Sequence, residues 1–181
     1  MSKLKLYPRG VIMSRLGCRC SADMTDTEGP SPHLLNVFLK SEVDSAISYN
    51  PDIALWDLYT GWDELAECQN SFQNRPEPVE YWYCTECKRI YEVQAISCGR
   101  ILRCFKPVSD LTEKYTLENF EELFIFWDKE MDDFLGFGSD YPLKDYLAQV
   151  KEKHFISPDQ KTIYGFDAAT NKLICKYILE S

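Results

Sequence analysis

Two cysteines separated by two residues, Cys84 and Cys87, are the residues of this chain with the clearest capacity for chemistry. A tight turn between such cysteines directs both thiolates at one metal ion, and the alternating apolar residues on either side predict a supporting hairpin. A redox C-x-x-C motif would instead place its second cysteine in a helix, whose N-terminus lowers the pKa of a thiol. The residues after Cys87 alternate as a strand does, so the pattern favours metal binding.

A second cysteine pair near the start of the chain has C-x-C spacing. Four thiolates suit the tetrahedral geometry of zinc, with no open position for a substrate. The predicted ligands of a structural Zn²⁺ are Cys18, Cys20, Cys84 and Cys87. In an alternative set, Cys98 and Cys104 replace the C-x-C pair, which would make all four ligands local. The first set is favoured, because a strand position such as Cys104 does not easily reach the same metal as a turn position.

Composition indicates a globular chain, with 181 residues, 45% hydrophobic residues and a net charge of −9. A membrane span needs about 18 consecutive apolar residues, and the sequence has no such run. The first residues are charged and lack the apolar region of a secretory signal, so we expect a cytoplasmic protein. In a reducing compartment, cysteines are metal ligands or buried thiols more often than disulfides.

Charge is distributed unevenly along the chain. Residues 1–20 carry five basic and no acidic residues, whereas residues 21–80 carry two basic and twelve acidic ones. An overall acidic surface repels phosphates, so we expect no nucleic-acid binding. Arg100, Arg103 and Lys106 form the one basic strip that supports the alternative function, a zinc-ribbon module that binds nucleic acid or assists transcription.

Hydrophobic patterning predicts both strands and helices. Strands are expected at 34–39, around the C-x-x-C motif, at 90–96 and 100–105, and at 123–127, with a final hairpin of 162–166 and 172–179. Helices are expected after an N-cap at Ser41, over 53–68 and from Leu143 to Val150, and residues 21–33 are expected to be a polar loop. The predicted fold is α+β, with mixed or antiparallel sheets, a split zinc-ribbon-like knuckle and a C-terminal β-hairpin. Residues 11–112 and 113–181 would form two lobes on one core.

The sequence lacks the motifs of the common metal and nucleophilic enzymes. A zinc deaminase needs His-x-Glu before its C-x-x-C, and neither His33 nor His154 provides it. There is also no H-E-x-x-H, no Walker loop and no G-x-S-x-G. We therefore expect a protein that is not an enzyme.

Three segments resemble small bacterial immunity proteins, which are encoded beside polymorphic or contact-dependent toxins. They are Leu-Gly-Cys-Arg-Cys near the start, Tyr-Trp-Tyr-Cys-Thr-Glu-Cys-Lys-Arg-Ile-Tyr in the middle, and Phe-Ile-Ser-Pro-Asp-Gln-Lys-Thr-Ile-Tyr-Gly-Phe-Asp near the end. The resemblance implies the four ligands of the favoured set, no catalysis, and a cognate toxin as partner. The chain departs from the pattern at Ser21, where a glycine would often follow the C-x-C pair.

An acidic run between Glu118 and Asp133 is the candidate surface for such a partner. It contains one base, Lys129, and its acids would either form a solvated face or cover a basic cleft of a toxin. Acidic proteins associate faster with basic partners, and many nuclease toxins are basic. The predicted partner-binding residues are Glu121, Glu122, Asp128, Glu130, Asp132 and Asp133.

Overall fold

The computed structural model describes residues 15–26, 31–54, 79–94, 100–112, 115–127 and 142–181. These residues contain ten strands and two helices. In chain order they are β1 (Arg15–Gly17), β2 (Asp23–Thr25), β3 (Leu34–Leu39), α1 (Lys40–Tyr49), β4 (Val79–Tyr83), β5 (Ile90–Gln94), β6 (Arg100–Pro107), β7 (Glu121–Trp127), α2 (Leu143–Leu147), β8 (Glu152–Ile156), β9 (Thr162–Asp167) and β10 (Leu173–Leu179). Neither helix has the length and apolar character needed to cross a membrane.

Strands β3 to β10 form a closed antiparallel barrel in the order β10-β6-β5-β4-β3-β7-β8-β9. Two four-stranded meanders, β3–β6 and β7–β10, are joined where β3 pairs with β7 and where β6 pairs with β10. The predicted α+β, zinc-ribbon-like fold is therefore wrong. Closure pairs the backbone N–H and C=O groups that the edge strands of an open sheet would leave exposed. The two pairings that close the barrel join strands distant in sequence, so local sequence patterns do not reveal them.

The barrel interior is filled by alternate residues of each strand. Phe105 is fully buried, and Leu35 and Ile163 are almost so. The whole buried interior cluster is Leu35, Val37, Tyr81, Ile90, Phe105, Leu123, Ile156 and Ile163. Because side chains alternate along a strand, the residues between these positions face outward and need other elements to cover them.

In the described part of the chain, two helices and the β1–β2 hairpin cover the outer face. Helices α1 and α2 pack over β3 and β7, in a cluster that contains Phe38, Val43, Ala46, Ile53, Phe124, Phe126, Leu143 and Tyr146. The β1–β2 hairpin packs over β3 to β6, in a cluster that contains Cys18, Met24, Leu34, Trp82, Cys84, Tyr91, Val93 and Cys104. This second cluster brings the two cysteine pairs of the sequence to one place.

Most predicted strands are confirmed, including the C-x-x-C hairpin and the final hairpin β9–β10. The predicted polar loop 21–33 is wrong in part, because it contains β2 and the fully buried Met24. Helix α1 begins at Lys40 rather than after Ser41, with the Glu42 carboxylate accepting a hydrogen bond from the Leu39 N–H. Helix α2 ends at 147, before Val150, and the predicted helix 53–68 lies outside the described residues beyond position 54.

An ion pair lies inside the barrel. The Arg103 guanidinium bonds the carboxylate of Glu92, which is 7% exposed, and it also donates to the Gln160 carbonyl and side-chain oxygens at 3.1 and 3.0 Å. Burial, followed by the charge of Glu92, raises the pKa of the neighbouring Tyr81 to about 12. Glu92 and Arg103 thus each have a charged partner inside the barrel.

Acidification should destabilise the fold through His154, which faces the barrel interior. Burial lowers the pKa of His154 to about 4 from the ordinary histidine value of 6.5. Between these values the unfolded chain binds a proton that the folded chain does not, so stability falls as the pH drops from about 6.5 to about 4. The expected loss between pH 7 and pH 5 is about 2 kcal/mol from this group.

Urea unfolding of the wild type and of His154→Gln at both pH values measures this loss. The variant should lack the histidine contribution, so its stability should depend less on pH than that of the wild type. An equal loss in the two proteins would contradict a buried, neutral His154.

Candidate metal centre

Two loops with the same hydrogen bonding present the cysteine pairs. In the β4–β5 loop, the Lys88 N–H donates to the Cys84 carbonyl, and the Cys84 N–H donates to the Arg89 carbonyl, each at 2.9 Å. In the β1–β2 loop, the corresponding bonds run from Ser21 to Cys18 at 2.9 Å and from Cys18 to Ala22 at 2.8 Å. Each loop therefore closes around its first cysteine and holds both thiols on one side.

The residue after each cysteine pair has a left-handed backbone. Ser21 has φ 72° and Lys88 has φ 64°. This region favours glycine, because a Cβ there crowds the following carbonyl. Ser21 therefore stands at a position whose backbone conformation suits glycine.

The four thiols converge on one point. The sulfur atoms of Cys18, Cys20, Cys84 and Cys87 all lie within 4.8 Å of one another. The Cys18–Cys87 sulfurs are 3.3 Å apart, and the Cys20–Cys84 sulfurs are 3.6 Å apart. Four sulfurs each about 2.3 Å from a zinc ion would be separated by about 3.8 Å. The four cysteines could therefore bind a metal, and they are the only such group among the described residues.

The protein environment favours different protonation states within the cluster. Burial raises the pKa of Cys84 to about 12. Burial has the same tendency at Cys87, but hydrogen bonds from the Arg89 backbone and side chain lower its pKa to about 6. Cys87 is thus ready to act as a thiolate, whereas the fully buried Cys84 needs a cation to favour its deprotonation.

Glu180, which follows β10, links both loops to the end of the chain. Its carboxylate bonds the Arg89 guanidinium at 3.0 and 3.2 Å and the Arg19 guanidinium at 3.1 Å. These contacts, Arg89 first, lower the pKa of Glu180 to about 2. Arg19 lies between the first two cysteines and Arg89 donates to Cys87. Glu180 therefore holds positive charge beside the thiols.

Tyr91 and Cys104 complete the surroundings of the cluster. The Tyr91 hydroxyl lies 3.1 Å from the Cys18 sulfur and accepts a hydrogen bond from the Arg19 N–H at 3.1 Å. The Cys104 thiol donates to Glu180 at 3.4 Å and is not among the four converging sulfurs. Cys98, the other member of the alternative ligand set, lies outside the described residues.

Two of the predicted partner-binding residues belong to the part of the chain that the structure describes. Glu121 is exposed and Glu122 is half-buried at the start of β7. Asp128, Glu130, Asp132 and Asp133 lie outside the described residues.

Sequence reasoning missed Glu180 and Tyr91, which surround the metal candidate. Glu180 is the only acid after Asp167 and lies far from the cysteines in sequence. No local motif joins it to Arg19 or Arg89. The excess of basic residues around both cysteine pairs was the one available signal that an acidic partner was needed.

A family model described as a domain of unknown function (DUF8617) matches residues 14–119. This chain belongs to that family. The DUF8617 segment contains all four converging cysteines and strands β1 to β6, whereas β7 to β10 and Glu180 follow it in the chain. Searches of curated proteins and of solved structures found no match.

Replacing Glu180 with Gln should weaken metal binding, because Arg19 and Arg89 lose the charge that holds them. Loss of a hydrogen-bonding partner around metal ligands typically lowers affinity about 10–100-fold. Competition for Zn²⁺ with a chromophoric chelator measures this change. Glu118→Gln, at an exposed position, is the matched control and should bind as the wild type does. Equal or tighter binding by Glu180→Gln would contradict a positioning role.

Proposed function

We propose that the protein binds one structural Zn²⁺ through Cys18, Cys20, Cys84 and Cys87. The observation that carries this proposal is the convergence of four thiols from two loops that share the same hydrogen bonding. Thiolate ligands favour zinc over magnesium or calcium, and four of them leave no position for a substrate. The ion would fix the β1–β2 hairpin on the barrel, a stabilising role rather than a catalytic one.

We further propose that this zinc-stabilised barrel is a cytoplasmic immunity protein that neutralises a bacterial toxin domain, with no catalytic activity of its own. Support comes from the resemblance of its cysteine segments to such proteins and from its net charge of −9. An acidic surface suits a basic partner, such as many nuclease domains, because opposite charges speed association.

Arg103 provides a specific reason to favour a protein partner over nucleic acid. Arg103 belongs to the basic strip Arg100, Arg103 and Lys106. Its guanidinium is already bonded to Glu92 and Gln160. A phosphate would have to displace these contacts. Binding of purified, zinc-loaded protein to DNA or RNA with a steep salt dependence would reverse this preference.

The immunity proposal predicts that a toxin domain is encoded beside this gene, and that domain is the partner to test. The wild type should bind that domain and abolish its toxicity in cells that produce both proteins. Failure to bind it would contradict the proposal, whatever the metal content of the protein.

Two sets of substitutions would then locate the interface. Asp128→Asn, Asp132→Asn and Asp133→Asn together should slow association about tenfold at low salt, with a smaller effect at high salt. Glu121→Gln with Glu122→Gln removes charge from the start of β7 and shows whether the interface includes this strand. Stopped-flow association rates measure both sets. Unchanged rates in both would place the interface outside the acidic run.

A further inference from the structure

One end of the barrel interior retains access to solvent. It is the end at which β4 and β7 finish and β8 and β10 begin, and we call it the upper mouth. Tyr83, Trp127 and Tyr177 pack on the interior cluster there, yet each remains half-buried. Inside a closed barrel, a side chain can keep solvent access only through an end or an internal space. The described residues therefore leave this mouth partly open to solvent, with aromatic side chains around it.

His154 and Cys175 form the floor of the upper mouth. Both approach Gly165, which has no side chain to occupy the space. A Cβ built on Gly165 would lie 2.3 Å from the Cys175 sulfur and 3.0 Å from His154 Nε2. The absence of a side chain at Gly165 therefore leaves space for the Cys175 thiol and the His154 imidazole. These two groups place polar atoms beneath the aromatic rings.

The floor of the upper mouth is polar and uncharged, whereas the exposed Lys88 lies 5.7 Å from the centroid of the Tyr83 ring at its edge. Tyr83 and Trp127 meet edge to face, with ring centroids 4.9 Å apart, and Tyr177 shares a hydrogen bond with the Cys175 thiol. Burial raises the pKa of Cys175 to about 11 and lowers that of His154 to about 4, so both are neutral at pH 7. The carboxylate of Glu152, an exposed residue, lies 3.5 Å from His154 Nε2.

We propose that the upper mouth binds a small, uncharged, largely aromatic molecule. Mouths of small barrels are common ligand sites, and an eight-stranded barrel is wide enough to hold one small ligand. The rings of Tyr83, Trp127 and Tyr177 provide the apolar contact area. His154 and Cys175 provide hydrogen-bonding groups that orient one polar atom of the ligand. This site is separate from the metal centre, and its existence does not depend on the partner of the protein.

N-phenyl-1-naphthylamine, an uncharged fluorophore whose emission rises in apolar surroundings, is a suitable probe. Zinc-loaded wild-type protein should give saturable enhancement. Cys175→Met places a larger side chain on the floor and should weaken binding about tenfold or more. Ile101→Ser and Leu102→Ser, at positions on β6 that are 42% and 48% exposed, are controls for binding to surface apolar groups. They should leave the titration unchanged.

A second measurement needs no variant. N-ethylmaleimide should alkylate Cys175 in the wild type, and the probe should slow that reaction, as followed by mass spectrometry of the peptide that contains Cys175. The proposal is overturned if the wild type gives no saturable enhancement. It is also overturned if binding is lost in the β6 controls rather than in Cys175→Met, or if the probe leaves alkylation of Cys175 unchanged.

Discussion

Cys84→Ser should release the metal and cause the largest loss of stability of any single substitution in this protein. Cys84 is fully buried at the contact between the β1–β2 hairpin and the barrel. A serine hydroxyl is a poor zinc ligand. Without the cation, the three remaining thiols would be desolvated with no metal–sulfur bonds to offset the free-energy cost of their burial. Structural zinc contributes about 10–16 kcal/mol in zinc-finger peptides, so we expect a loss of several kcal/mol in this larger fold.

Thermal unfolding and elemental analysis of the same preparations measure both effects. Cys175→Ser makes the same chemical change in the upper mouth, and it should retain zinc. Cys18→Ser should resemble Cys84→Ser, because the two residues belong to opposite loops of one cluster. The favoured ligand set is contradicted if Cys18→Ser retains zinc while Cys98→Ser or Cys104→Ser loses it.

Glu92→Gln should destabilise the barrel by about 1–3 kcal/mol, because the Arg103 guanidinium that loses its charged partner is itself partly exposed. Its carboxylate is the buried charge that balances Arg103 inside the barrel. Without it, the guanidinium keeps the oxygens of Gln160, the Tyr81 hydroxyl and the face of the Phe105 ring as neighbours. Urea unfolding measures the difference, and a change in the midpoint at constant slope would mark a loss of stability.

The double variant Glu92→Met with Arg103→Met removes both charges, so it distinguishes the loss of the ion pair from the cost of leaving one charge unpaired. Replacing both charges by apolar side chains is often neutral or stabilising, so this variant should be more stable than Glu92→Gln. Glu121→Gln is the control on an exposed carboxylate and should change stability by less than about 0.5 kcal/mol. A mild effect of Glu92→Gln, similar to that of the control, would show that Arg103 finds other partners.

Local features of this protein were predictable because they depend on near neighbours in sequence. The Cys84–Cys87 loop, its flanking strands and the β9–β10 hairpin follow from alternation and turn residues. The choice of Cys18 and Cys20 over Cys104 rested on a general argument about loops and strands. The structure brings those four sulfurs together and places Cys104 on a strand beside them.

The closed barrel was not predictable in this way. It depends on pairing of β3 with β7 and of β6 with β10, which are separated by long stretches of chain. An alternating strand has the same pattern in an open sheet and in a barrel, since both bury one face. The role of Glu180 is hidden for the same reason. Its partners Arg19 and Arg89 become neighbours only after the barrel closes and the β1–β2 hairpin packs on it.

X-ray absorption at the zinc edge tests the central claim most directly. Protein purified without chelators should contain about one zinc per chain, with four sulfur ligands at about 2.3 Å and no nitrogen or oxygen ligand. Cys20→Ser should reduce the sulfur coordination, because its thiol is one of the four that converge. A wild-type zinc site with two sulfurs, or with oxygen in the first coordination sphere, would contradict a single tetrathiolate centre built from both loops.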